Sequence, residues 1–229
     1  MKIAIVIATY QRIDNTTPNF LTRALQSIKN QTHQDYVVYL IGDKYEDNIE
    51  FEVLATSIID KNKIKYINLP ISIEREKYKA GSIELWSSAG TNAYNFGINL
   101  AIEDGISYVC HLDHDDYWEY NHLMEISNVL DTKNYLFVAT LSTHFKNNVI
   151  LPKIRMSKYF PKRADVIHSA TCVNFAEINL RYRDVYDITG IPKPGDADMW
   201  ERITEYMNNI NEYGHLIETI TCHHDFENH

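Results

Sequence analysis

The chain has 229 residues, of which 45% are hydrophobic and 23% charged, a composition that fits a folded globular domain and excludes a disordered one. Its formal net charge of -9 argues against non-specific binding to DNA, RNA or an anionic lipid surface. A phosphate-bearing ligand would therefore need a bound cation or local Arg and Lys.

The opening stretch Lys2 to Tyr10 is apolar but too short to span a bilayer, and it lacks a basic leader and a cleavage site. No other segment is long and apolar enough to cross one, so the expectation is a cytoplasmic protein, with peripheral membrane association left open. Cys110, Cys172 and Cys222 show no paired spacing, which predicts buried free thiols rather than a zinc site or disulfide framework.

Ile3 to Ala8 is a continuous β-branched run, the pattern of a strand covered on both faces. Thr17-Pro18 opens a helix carrying Phe20, Leu21, Ala24, Leu25 and Ile28 at helical spacing. Tyr36 to Ile41 predicts a second buried strand ending at Gly42-Asp43. A helix through Ile49, Val53, Leu54 and Ile58 follows, then a strand over Lys63 to Leu69. Ser72 to Ser88 is polar and without periodicity, which predicts a loop over the ligand site. Ala93, Phe96, Leu100 and Ala101 mark a helix ended by Gly105, and Ile106 to Leu112 is the fourth strand.

Beyond Trp118 the pattern is mixed. It gives a helix through Leu123, Ile126 and Leu130, a strand over Tyr135 to Leu141, and an irregular stretch from Lys146 to Ala164. Thr171 to Ala176 and Leu216 to Thr221 read as strands, with a helix starting near Asp198 between them. The expectation is one α/β domain, residues 1–229, with a mainly parallel central sheet flanked by helices and an α+β second half. Residues 1–118 would form the ligand half and 119–229 the acceptor half. Ligands in such sheets sit outside the carboxyl ends of the strands. Tyr10-Gln11-Arg12, Asp43 and Asp113 to Asp116 each follow a strand, so all three should share one rim.

Asp113, Asp115 and Asp116 fall within four residues. Carboxylates this close repel unless a cation such as Mg²⁺ or Mn²⁺ relieves them. An acidic turn capping the next helix is the other account, and Asp116 fits either.

Taken together, the motifs resemble those of the family 2 glycosyltransferases, which have the GT-A fold. Ile3 to Arg12 is similar to that family's opening strand, an apolar run ending in Pro-Thr-Tyr-Asn-Arg. Ala24 to Ile28 with Gln31-Thr32 resembles its first helix, Gly42-Asp43 its uridine-contacting aspartate, and Asn95-Phe96-Gly97 its Asn-x-Gly helix. Asp113-His114-Asp115 resembles the Asp-x-Asp motif. The resemblance implies a donor site built from Thr9, Tyr10, Arg12, Asp43, Asn95, Asp113 and His114, binding a UDP-sugar or related nucleotide sugar. It also implies that Asp115 holds Mn²⁺ or Mg²⁺ and that a late histidine joins it. His224 is the candidate among His223, His224 and His229, the alternative being a frayed terminus.

Gly195 to Arg202 resembles the family's Glu-Asp-x-x-x-Trp-x-Arg segment, which supplies the base that deprotonates the acceptor. Asp196 matches that position, with Gly195 in place of the glutamate; Asp198 is the competitor, with a helix N-cap as its structural role. The implied reaction is inverting transfer of a single sugar to a glycan or glycolipid hydroxyl. A metal-dependent phosphoester hydrolase, a nucleotidyltransferase and a non-catalytic nucleotide-sugar binding module are the alternatives. Further expectations are His111 as a satisfied core side chain, His168 with Ser169 near the acceptor, and Arg75, Lys77 and Lys79 either at the diphosphate or in solvent. Trp86 and Trp118 would either stack on sugar or pack in the core.

Overall fold

A computed structural model describes residues 1–144 and 149–224. The first half alternates strands and helices. It comprises β1 (Ile3–Thr9), α1 (Thr17–Lys29), β2 (Tyr36–Asp43), α2 (Asn48–Ser57), β3 (Ile64–Leu69), α3 (Ile73–Lys77), α4 (Ile83–Ser88), α5 (Thr91–Glu103) and β4 (Tyr108–His111). The second half comprises β5 (Tyr117–Trp118), α6 (His122–Thr132), β6 (Phe137–His144), β7 (Val149–Leu151), β8 (Thr171–Asn174), α7 (Phe175–Ile178), α8 (Val185–Thr189), α9 (Gly195–Asn209) and β9 (His215–His224).

All strands join one sheet in the order β3-β2-β1-β4-β8-β6-β9-β5, with β7 on β6. β1, β2, β3 and β4 run parallel, as their unbroken apolar runs predict. Every residue of β1 is buried, with β2 on one side and β4 on the other. β1 therefore lies at the point where strand order reverses, and the loops at its carboxyl end diverge to leave a crevice. Beyond β4 the sheet becomes mixed: β8 is antiparallel to β4 and β6, while β6 and β9 are parallel.

The expected loop over Ser72 to Ser88 holds two short helices, α3 and α4, the second capped by Ser82, whose Oγ accepts from the Leu85 amide at 3.2 Å. Helices of five or six residues are too short to display a 3.6-residue period. Strand β5, of two residues, is equally silent in sequence. It pairs Tyr117 with His223 and Trp118 with Cys222, which holds the last strand beside the acidic turn. The three cysteines are buried and free, as predicted. No helix among the described residues is long and apolar enough to cross a membrane.

Gly97 sets how closely α5 approaches the sheet. A Cβ there would lie 2.5 Å from Val6 Cγ1 and 3.2 Å from Ile41 Cγ1. Gly97→Ala is expected to lower unfolding free energy by about 1–3 kcal/mol through overpacking. Urea denaturation measures this, and adding Val6→Ala should recover part of the loss.

Candidate active site

The Asp113–Asp116 turn leaves β4 at the crevice, and its four side chains have different surroundings. Asp113 is the most open carboxylate, with 31% of its side chain exposed. It accepts from Tyr94 Oη at 2.5 Å and from His168 Nδ1 at 2.8 Å, and its amide donates to Ser169 Oγ at 2.9 Å. Burial opposes its ionisation, but His168 and the Tyr94 hydroxyl outweigh burial and hold it well below the usual carboxylate range.

His168 is the partner that makes this possible. Burial works against its protonation, yet Asp113, with Asp196 and Asp116 behind it, raises its pKa. As an imidazolium it donates to Asp113 and, through Nε2, to Tyr182 Oη at 2.8 Å. The Tyr182 hydroxyl then donates to His111 Nε2 at 3.2 Å, and His111 Nδ1 reaches Thr171 Oγ1 at 3.2 Å. Thr171 Oγ1 donates to the His168 carbonyl at 2.7 Å, which closes the ring. Burial, then His168, keeps His111 neutral, so each donor in the circuit finds an acceptor. His111 is thus the satisfied core histidine the sequence predicts.

Asp115 faces Arg12, whose Nη2 donates to its Oδ2 at 2.6 Å, while Arg23 Nη2 donates to its carbonyl at 2.5 Å. Asp116 is fully buried, bound by Ser169 Oγ at 2.6 Å and His224 Nδ1 at 2.9 Å. The helix-cap account of Asp116 is therefore corrected: α6 begins at His122, and Asp116 is committed to the core instead. Burial pushes the Asp116 carboxyl up. His224 is lifted in turn, because Asp116, with Asp113 and Asp115, outweighs the burial that opposes its charge. His224 lies within β9 and not in a frayed end; His229 lies outside the described residues.

The β1–β2 side of the rim has a different signature. Asp43, 3% exposed, accepts from Ser72 Oγ at 2.7 Å and lies 3.4 Å from Arg75 Nε. Arg75 also binds the Asp43 carbonyl and stacks over Tyr10, 5.2 Å from the ring centre. The Tyr10 ring meets His114 edge-on at 5.6 Å. Three buried polar atoms here have no hydrogen-bond partner among the described residues: Thr9 Oγ1, Asp43 Oδ1 and His114 Nε2. Thr9 pairs in register with Gly42, which places two of them at adjacent strand ends. Each orphaned group costs about 1–3 kcal/mol unless a partner from outside the chain meets it. Asn95 plays a different part. It bonds the Tyr182 carbonyl at 2.7 Å and accepts from the Tyr182 amide at 2.8 Å, fixing the segment that carries Tyr182.

A cleft of about 580 Å³ runs from Asp113 past Tyr94, His168 and Tyr182 to Asp196, with His224 and Trp86 also on its wall. Asp196, in the first turn of α9, is half-buried and accepts from the Ala197 amide at 2.7 Å. Burial raises its pKa, an effect that His168 only partly offsets. Gly195 explains the departure from the family's glutamate, since a Cβ there would lie 2.9 Å from Thr91 Cγ2. Asp198, 2% exposed, is bound by Arg183 at 2.8 Å on both oxygens and by Arg202 at 2.7 Å. It is not an N-cap, because α9 begins at Gly195.

Trp86 is exposed at the cleft, whereas Trp118 is buried and donates to the Ser169 carbonyl at 2.7 Å. Lys77 is paired with Asp184 and Asp187 instead of facing the rim. Tyr94, Tyr182, Ser72 and Arg23 carry no motif of their own; their roles come from tertiary contact.

Among the described residues no group of three or more His, Cys, Asp or Glu side chains is arranged as a metal cage. A Mg²⁺ or Mn²⁺ shared with a diphosphate needs only one or two protein ligands. Asp116, with Asp113 and Asp115, draws a proton onto His224, so these carboxylates make a negative field of the kind a cation relieves.

Crystal structures of S. aureus TarS residues 1–349 share this fold. The complex with UDP-GlcNAc superposes with a TM-score of 0.70 at 12% identity, over 100% of this chain and 60% of that one. The complex with UDP gives 0.66 at 10% identity, over 98% and 60%. The chain thus spans about 60% of the length of those structures. No protein-family model matches the chain. It is 39% identical over 238 residues to a protein of Acanthamoeba polyphaga mimivirus described as the uncharacterized glycosyltransferase R139, covering 99% of this chain and 95% of that protein. The chain belongs to the glycosyltransferases.

The ion pairs of Asp198 assign it a structural role that stability can read. Burial raises its pKa, but Arg183 and Arg202 outweigh burial and lower it. Its contribution is therefore present above the ordinary carboxylate pKa and lost as pH falls through the depressed one. Asp198→Asn should cost about 3 kcal/mol at neutral pH, measured by denaturant unfolding, with the deficit shrinking in acid.

Proposed function

We propose that the chain is an inverting glycosyltransferase that moves one sugar from a uridine-diphosphate sugar to a glycan or glycolipid hydroxyl. The observation that carries the donor assignment is the cluster of orphaned Thr9, Asp43 and His114 atoms beside Tyr10. Asp43 Oδ1 offers a lone pair suited to the N3–H of uracil. The UDP and UDP-GlcNAc bound to the structurally similar TarS support the same ligand class.

In this reading Asp113 takes the ribose and the inner edge of the donor, anchored by Tyr94 and His168. A Mg²⁺ or Mn²⁺ held by Asp115 and His224 would supply charge stabilisation for the departing diphosphate. Asp196 is the general base, favoured over Asp198 because it lines the cleft while both oxygens of Asp198 are held by arginine. The acceptor hydroxyl attacks the anomeric carbon as its proton passes to Asp196. The bond from that carbon to the phosphate oxygen breaks, and a nucleoside diphosphate leaves. Half-burial of Asp196 removes water that would compete for the sugar.

Incubation with UDP-sugars and glycan acceptors, followed by NMR of the product's anomeric configuration, tests the reaction. Inversion is expected. Phosphate-ester turnover without an acceptor would favour the hydrolase instead. Asp196→Asn should lower kcat by about 10²–10⁴-fold with donor affinity retained. The wild-type rate should fall on an acid limb lying above the ordinary carboxylate pKa, because burial raises that of Asp196. Asp115→Asn should cost at least as much activity, since stabilising the leaving group is the larger effect; near-wild-type turnover in that variant contradicts the assignment.

A further inference from the structure

The net charge of -9 conceals one strongly basic stretch. Residues 153–163 contain Lys153, Arg155, Lys158, Lys162 and Arg163 and no acidic residue, and all five cations are exposed. Ile154 and Met156 stand among them, 68% and 61% exposed. The pairing available to these cations is weak: Arg155 lies 3.6 Å from an exposed Glu218, and Lys158 sits over the Tyr213 ring at 5.1 Å.

This stretch is continuous with the cleft. Leu151 before it lines the cleft wall, as do Arg163, Ala164 and Ile167 at its end. On another part of the wall stands Trp86, 65% exposed, on α4. α4 packs on α8, where Ile188 is 60% exposed, and Ile191 just beyond it is 66% exposed. The chain then reaches Pro194 and Gly195, which line the same cleft. The mouth is therefore bordered by cations with protruding apolar side chains and by a second apolar patch. A soluble polyanion asks only for the cations. Large apolar side chains interleaved with Lys and Arg match the boundary between lipid headgroups and acyl chains. The acidic residues elsewhere do not forbid this, because at physiological salt a surface charge is felt over only about 8 Å.

We propose that the Lys153–Arg163 rim, with Trp86 beside the cleft, docks the chain on an anionic lipid bilayer with the cleft mouth facing the membrane, so that the sugar acceptor is a lipid headgroup. The docking stands on the surface alone; the choice of acceptor rests on the glycosyl-transfer reading above. Net charge points away from an anionic surface, and the local distribution reverses that expectation.

Co-sedimentation of the full chain with vesicles of phosphatidylcholine, alone or mixed with phosphatidylglycerol, tests the proposal. The wild type should pellet with the anionic vesicles and not with phosphatidylcholine alone. Joint replacement Lys153→Gln, Arg155→Gln and Lys158→Gln should weaken binding by about tenfold or more. Ile154→Ser with Met156→Ser, which leaves the charge unchanged, should weaken it by about tenfold as well. None of these five side chains lines the cleft, so both variants should bind UDP as the wild type does, which separates a failure of docking from a failure of the donor assignment. A wild type that stays in the supernatant, or pellets equally with uncharged vesicles, overturns the proposal. So does an Ile154→Ser, Met156→Ser variant that pellets fully and is released by soluble dextran sulfate, which would make the rim a polyanion site.

Discussion

The hydrogen bond between His168 and Asp113 is the contact on which the rest of the site depends. It joins the turn after β4, in the parallel half of the sheet, to the residues that lead into β8, in the mixed half. Without a cation there, Asp113 would stand near Asp115, Asp116 and Asp196 with only the Tyr94 hydroxyl and the more distant His224 to favour its charge. His168 answers Asp113 directly and lowers the cost of charge on Asp196. Its own second nitrogen is held by Tyr182, which Asn95 fixes from α5. One imidazole thus ties the two halves of the sheet together across the cleft.

Each remaining acid has its own compensation: Arg12 for Asp115, Ser169 and His224 for Asp116, Ser72 and Arg75 for Asp43. Some groups at the crevice are left incomplete. Asp43 Oδ1, Thr9 Oγ1 and His114 Nε2 are buried without partners among the described residues, and Asp196 lines the cleft. Carboxylates that are fully satisfied, such as Asp198, hold the scaffold, and the half-satisfied ones are those to which we assign the chemistry.

The first half of the fold is legible in the sequence because its strands are long apolar runs and their polar ends carry motifs. Asp43 and Asp113 fall on one predicted rim for that reason, and β1, β2 and β4 place them there. What stays hidden depends on contacts distant in sequence. The local segment favours Asp196 by resemblance, and Arg202 one turn on pairs with Asp198; what the sequence hides is Arg183, 15 residues away, which binds both oxygens of Asp198. His223 and His224 resemble a loose end because two polar residues have no strand period, and pairing with β5 and β6 is what orders them. Asn95, matched by resemblance to the donor site, bonds the backbone of Tyr182 instead, a role that only the folded chain displays.

The central claim is that the crevice at the ends of β1, β2 and β4 is built for a uridine diphosphate. Calorimetric titration with UDP and CDP, each with and without Mn²⁺, tests it most directly. Binding of UDP that strengthens with Mn²⁺, and about tenfold or greater weakening for CDP, is predicted, because cytosine would set its N3 lone pair against Asp43. Equal affinity for the two nucleotides, or no binding of either with the cation present, would contradict the account.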